Sequence, residues 1–405
     1  MIKSALDDIV KGVSDIVFSV DLFMKHNYDN RLKKILLSHQ KKYIYKNQSG
    51  KVDLSEIKRI VNFVCSIKDR HKISLLPVVI DLGRQIVIED KLTYILLECI
   101  CYNLVEKEKC NLCLYFRCPH TIYNEGIKTS YLKYIDGTKN GMSNFSSHFS
   151  FDIRGNHFRK IIRSEDFDGE QTARTVQNID SFLKYCLIQD GYRERVSDIV
   201  GELIDNSLEH SKSDCLIDID VTNDYEKDIT GSSDELYCGV NIVVLNFSDT
   251  LLGNGVSRKL EQVKSVDITT TPINKRYLDV LEARKYHSDF WGENYSEDDF
   301  NMIASFQHKI SCRLSSFSTG GTGLTQLIKG LEEESDAYKC YMLSGGRKIN
   351  FIKNMLACGD DNWIGFNQEC DFLTHIPSFE CVQESGLYFP GTAYNLNFVM
   401  KREVN

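Results

Sequence analysis

Between residues 196 and 208 the apolar positions Val196, Ile199, Val200, Leu203, Ile204 and Leu208 recur at helical spacing, which predicts an amphipathic helix with one side in a core. Glu202, Asn206 and His210 follow at intervals of four, so a carboxylate, a carboxamide and an imidazole share one stripe of it. A helix over 180–192, with Phe182, Leu183, Cys186 and Leu187 on one face, leads into it through a turn at Gly191. Downstream the period changes to two. Residues 214–221 alternate as a strand, and 237–245 predict its neighbour, with a strongly apolar run over 240–246. Further strands are expected over 338–343, 348–352 and 394–399, with Gly345 and Gly346 placed to turn a hairpin.

The first half of the chain reads differently. Residues 1–40 predict helix, with Ile9, Val13, Ile16, Val17 and Val20 as the apolar stripe. After a basic, polar segment over 39–51, Asp53 opens a second helix that buries Ile57, Ile60, Val61 and Val64. Short β-rich runs over 75–81 and 85–88, a helix over 92–105 and a strand over 111–116 suggest a small α/β domain within 41–150. The stretches 79–82 and 90–98 are faintly similar to STAS-type anti-sigma antagonist domains. Little periodicity marks 119–155, which reads as a long excursion or domain boundary, and His157 follows as a lone histidine in a loop-like context.

Composition narrows the classes. At 405 residues, 42% hydrophobic and 26% charged, the chain has room for two or three globular domains. A net charge of −8 argues against nucleic acid as a partner, because phosphate binding needs a dense basic patch. Neither an 18-residue apolar span nor a signal peptide is legible, so a cytoplasmic protein without membrane contact is expected. The 14 cysteines are then expected as reduced thiols. Cys110, Cys113, Cys118 and His120 could form a zinc cluster, but 110–116 also reads as a strand, where positions three apart face opposite sides.

The chemistry concentrates in three places. The first is the Glu202–Asn206–His210 stripe, whose groups suit a hard metal ion, a polarised water and a phosphate. The second is the turn after the apolar strand, where Asn246, Ser248 and Asp249 precede Gly253 and Gly255. The third is Ser318-Thr319-Gly320-Gly321-Thr322-Gly323-Leu324, a glycine run that opens a new helix and offers convergent N–H groups to an anion. This succession resembles the ATPase superfamily shared by gyrase, heat-shock chaperones, sensor histidine kinases and MutL. The third motif is close to the family form, the first good and the second degenerate. A late Phe389-Pro390-Gly391-Thr392 resembles the family's closing Gly-Thr strand.

The resemblance covers roughly residues 180–400, about the size of one domain. It implies an α+β fold: a two-layer α/β sandwich of the Bergerat type over 180–405, with a long ATP lid over about 256–317. Ahead of it lie the helical segment 1–40 and the smaller, mostly α/β domain 41–150. By the same resemblance, ATP and Mg2+ are the cofactors. Asn206 would hold the metal, Glu202 would orient or deprotonate the attacking water, and His210 would lie near the phosphates. Thr319, Gly320, Gly321, Thr322, Gly323 and Leu324 would cradle the phosphates, Thr392 would close the site, and Arg258, Lys309 and Arg313 in the lid are candidate phosphate contacts. The adenine contact falls to Asn246 through its amide oxygen, or to Asp249 if a longer turn delivers it. The expected function is a slow ATPase that switches a protein partner or its own dimer. Alternatives are a protein serine kinase of the anti-sigma-factor type and a non-catalytic nucleotide-sensing adaptor.

Overall fold

The apolar run of the central strand is buried on both alternations, and this feature organises the molecule. The structure, a computed structural model, describes residues 20–29, 42–70, 76–83, 86–116, 122–123, 131–165, 170–222, 236–265, 275–310, 323–334, 340–358 and 362–403. Strands β7 (Phe151–Arg154), β8 (His157–Ile162), β9 (Cys215–Thr222), β10 (Tyr237–Asn246), β11 (Tyr341–Asn350) and β12 (Val382–Lys401) form one sheet in the order β11-β12-β10-β9-β8-β7. Every pairing in it is antiparallel. The class is therefore mixed α+β, as expected.

Both faces of this sheet are covered. On one, Ile217 and Ile219 of β9, Val240, Ile242 and Val244 of β10, and Leu396 and Phe398 of β12 join a single apolar core. Helices α5 (Glu170–Tyr185), α6 (Asp190–Asp205), α7 (Asn254–Ser265), α8 (Lys275–Ser288), α9 (Glu297–Ala304) and α10 (Gly323–Glu334) supply its other side. On the opposite face Leu216, Val243, Leu245, Phe389 and Ala393 pack against the N-terminal part of the chain. The second covered face explains why β10 reads as continuously apolar rather than alternating. It also adds a layer to the expected two-layer arrangement.

The N-terminal part is a stack of similar units. Strands β1 (Tyr43–Lys46), β3 (Val78–Gly83) and β5 (Leu112–Phe116) form one small parallel sheet, and β2 (Lys51–Val52), β4 (Ile86–Ile88) and β6 (Ile122–Tyr123) another. Helix α2 (Leu54–Arg70) follows β2, and α3 (Lys91–Tyr102) follows β4. Tyr43 pairs with Val78 and Val78 with Leu112, so the chain returns after roughly 35 residues, a spacing typical of stacked repeats. Helix α3 is buried at every position from Lys91 to Tyr102 and is capped by Asp90, which accepts from the Thr93 N–H. Helix α1 (Val20–Asn27) lies beside it, with the Asn27 amide bonded to the Tyr388 carbonyl of β12 at 2.6 Å.

Several expectations change. Residues 119–155 are not an excursion throughout: α4 (Lys139–Ser150), capped by Thr138, and β7 lie within them. His157 opens β8 instead of sitting in a loop. The expected hairpin at Gly345 and Gly346 is a bulge inside the single strand β11, with register shifts on both sides of Gly345. The helix expected over 92–105 is α-helical as far as Tyr102 and continues as a π turn over Asn103–Lys107. Residues 256–265 and 275–310 of the expected lid place Val256, Leu260, Tyr277, Phe300 and Ile303 in the helical-face core. No helix among the described residues is long and apolar enough to cross a membrane.

Candidate functional site

Helix α6 presents its apolar side to the sheet through Val196, Ile199, Val200, Leu203 and Ile204, leaving Glu202 and Asn206 half-buried. The helix does not end in a cap. Residues Asn206–His210 continue it as a π turn, a widening that is often found at functional positions. Asn206 is the first residue of that turn. Ser207 bonds back to the Leu203 carbonyl at 2.9 Å and Leu208 is buried, which fixes the turn from its apolar side. The His210 side chain lies outside the described residues.

After the π turn the chain passes through Ser211 and Ser213 into β9, beside the ends of β10 and β12. Asn246 closes β10 opposite Cys215 on one side and Thr392 on the other. Its Oδ1 accepts from the Thr392 N–H at 3.2 Å, and its Nδ2 donates to Ser213 Oγ at 2.7 Å. Ser248 Oγ donates to the Ser211 carbonyl at 3.2 Å, and the Ser248 N–H to the Pro390 carbonyl at 3.2 Å. Ser344 Oγ donates to the Gly391 carbonyl at 2.7 Å and accepts from the Leu252 N–H at 3.0 Å. The first motif's exit, the second motif's turn and the closing Gly-Thr are thus tied together at one end of the sheet.

Two glycines are dictated by this gathering. Gly391 has φ +95°, and a Cβ there would stand 2.2 Å from the Asn246 carbonyl oxygen. Gly253 has φ +90°, and a Cβ would meet the Met302 nitrogen at 2.8 Å. Asp249 is exposed on the turn between β10 and α7, and Gly255 is in the first turn of α7. Of the third motif, Thr319, Gly320, Gly321 and Thr322 lie outside the described residues, as does Arg313. Gly323 opens α10, Leu324 packs half-buried against the core, and Leu327 and Ile328 are fully buried. Gly330 lets α10 approach α6: a Cβ there would lie 2.8 Å from Ile199 Cδ1. Ser248 lies within the second motif's turn, but its partners Ser211, Ser213 and Ser344 carry no motif, so nothing in the pattern of residues singles them out.

An open groove of about 450 Å3 borders the other side of the π turn, lined by Ser164, Glu165, Leu208, Glu209 and Lys212. None of Glu202, Asn206, Asn246 or Asp249 lines it, and its two carboxylates do not suit a phosphate, so the strand-end constellation is the better candidate.

A second polar cluster lies on the sheet's opposite face, where α3 meets β8 and β9. Lys91 Nζ is 2.5 Å from Asp218 and 2.6 Å from Asp220. Arg159 joins Glu98 at 2.6 Å and also pairs with Asp218, while His157 bridges Asp152 and Asp218 at 3.3 and 3.0 Å. All of these side chains are buried. Burial raises the Glu98 pKa despite the Arg159 charge beside it. Burial also disfavours a charged His157 ring, but Asp218 and Asp152 outweigh it and the pKa is pushed up to about 9. Burial would raise the Asp218 pKa, yet Arg159, Lys91 and His157 hold it well below the usual carboxylate range.

His157, Asp218 and Asp220 offer ligand atoms within 4.8 Å of one another, the spacing of a metal site. The Lys91 ammonium already lies against both carboxylates, however, and a protonated His157 has no lone pair to give. The cluster carries its own internal cation and does not fit a metal. The described cysteines are free thiols, among them Cys110, whose pKa burial pushes up to about 12, and Cys113; Cys118 and His120 lie outside the described residues.

Comparison with family models, curated proteins and solved structures finds no match for this chain.

Proposed function

We propose that the chain is a magnesium-dependent ATP-binding protein of the gyrase, chaperone, histidine-kinase and MutL type, acting as a slow ATPase that switches a protein partner or its own dimer. The observation that carries this reading is the packing of α10, the helix opened by the glycine run, directly on α6, the helix that bears Glu202 and Asn206. The strand-end hydrogen bonds then join the exit of α6 to the turn bearing Asp249 and to Thr392. The first motif's exit, the second motif's turn and the closing Gly-Thr meet at one end of the sheet, and α10 packs on α6 at Gly330 and Ile199, which supports the reading.

In this reading the Asn206 amide oxygen holds Mg2+, a hard cation suited to an oxygen ligand. Glu202 lies one helical turn earlier and takes the proton of the attacking water. The backbone N–H groups at the start of α10 face the phosphates, where the helix dipole favours negative charge. Bound magnesium ATP supplies the phosphoryl group and its charge neutralisation. The N-terminal stack, fixed on the far face of the sheet, is the candidate partner-binding module.

The test is ATP binding and hydrolysis by the purified chain, with and without magnesium, beside Asn206→Ala and Glu202→Ala. Loss of magnesium-dependent binding in the first, and binding without turnover in the second, is the expected result. Transfer of phosphate to an added protein would move the reading to a protein kinase. A wild type that binds no nucleotide would leave a non-catalytic adaptor.

A further inference from the structure

We propose that Asn246 is a positioning residue for the nucleotide site and makes no contact with the base. The inference rests on the ATP-binding reading above and goes beyond it by removing one of the two candidate base contacts. Asn246 is 1% exposed, and both ends of its side chain are engaged by the protein. Oδ1 accepts from the Thr392 N–H and Nδ2 donates to Ser213 Oγ. The backbone around it is equally committed, since the Gly391 Cα lies so close to the Asn246 carbonyl that no side chain fits there.

What Asn246 holds in place defines the consequence. Ser213 belongs to the short segment that leaves the π turn of Asn206, and Ser248, two residues beyond Asn246, bonds to Ser211 of the same segment. The end of β10 therefore clamps the exit of the metal-ligand helix from one side and Thr392 of β12 from the other. An amide serves this purpose because it has a donor for the serine oxygen and an acceptor for the peptide N–H. Removing it leaves a half-buried hydroxyl and a buried N–H to find new partners, and frees the π turn to shift relative to the closing strand. A shift of that kind weakens phosphate and metal binding whatever base is attached. Base recognition is left to the exposed turn that bears Asp249.

The test is a double-mutant cycle in ligand and protein. Magnesium-dependent binding of ATP, and of purine riboside triphosphate, which lacks the 6-amino group, is measured on the full chain for the wild type, Asn246→Ala, Asn246→Asp and Ser213→Ala, with thermal unfolding of each. We expect Asn246→Ala to weaken both ligands by the same factor, about tenfold or more. Ser213→Ala should weaken both by a smaller common factor. Asn246→Asp should restore most of the affinity, because its carboxylate can accept from both Thr392 N–H and the Ser213 hydroxyl. A loss confined to ATP would make Asn246 a base contact and overturn the inference. A fall in melting temperature with unchanged affinity for both ligands would reduce it to a stabilising residue, and also overturn it. In either case a wild type that binds ATP leaves the ATP-binding reading standing. A wild type that binds neither ligand removes that reading and this inference together.

Discussion

The two polar clusters on this sheet handle buried groups in opposite ways. On the face toward the N-terminal stack, Lys91, Glu98, Asp152, His157, Arg159, Asp218 and Asp220 are enclosed and neutralise one another. At the end of the strands, neutral amides, hydroxyls and backbone groups do the tying, while Glu202, Asn206 and Asp249 remain half-buried or exposed. Charges that pair among themselves make a joint, because the cost of burying them is offset only in one arrangement. Charges kept near solvent beside a rigid frame remain able to meet a ligand. The more heavily charged cluster is therefore the structural one.

The largest effect should come from breaking the joint. Asp218→Ala leaves Lys91, Arg159 and His157 without their shared carboxylate, and should cost about 3–5 kcal/mol in denaturant unfolding. An unchanged unfolding midpoint would show that the network is not a joint at all. The pH dependence follows from His157. Its folded pKa of about 9 is above the ordinary imidazole value of 6.5, so its stabilisation is complete below about 6.5 and is lost as pH rises through about 9. Unfolding free energy should decline over that window, and His157→Gln should flatten the decline.

Next in size is Gly391→Ala at the strand end. A positive φ and a 2.2 Å approach to the Asn246 carbonyl should together cost roughly 1–3 kcal/mol, read from the melting temperature. The smallest stability effect belongs to half-buried Asn206, the proposed metal ligand. Asn206→Ala should alter unfolding free energy by no more than about 0.5 kcal/mol, since its side chain makes no hydrogen bond among the described residues. A large destabilisation by that variant would move Asn206 from the binding site into the frame.

How much of this was legible depended on whether a feature is carried by a local period. Helix α6, strands β9 and β10 and the start of α10 follow from apolar spacing, and the site stripe of Glu202 and Asn206 from a four-residue interval. The repeat in the N-terminal part was not legible, because Tyr43, Val78 and Leu112 share a position in the stack but little beyond being apolar. The hairpin expected at Gly345 failed because a glycine pair permits a bulge as readily as a turn. The charge network was invisible for a different reason. Asp218 and Asp220 alternate with apolar residues as the polar side of a half-exposed strand would, and only the arrival of α3 on that face makes them buried. His157 was legible as a residue but not as a neighbour of two aspartates, one of them 61 positions away.

In the proposed function, the exit of α6 and the start of α10 together bind a magnesium nucleotide. Calorimetric titration of the full chain with ATP, in magnesium and in excess chelator, tests it most directly. Binding that needs magnesium in the wild type, and is lost in an Asn206→Ala protein of unchanged melting temperature, is the predicted result. Equal binding by the two proteins, or none by the wild type, would contradict it.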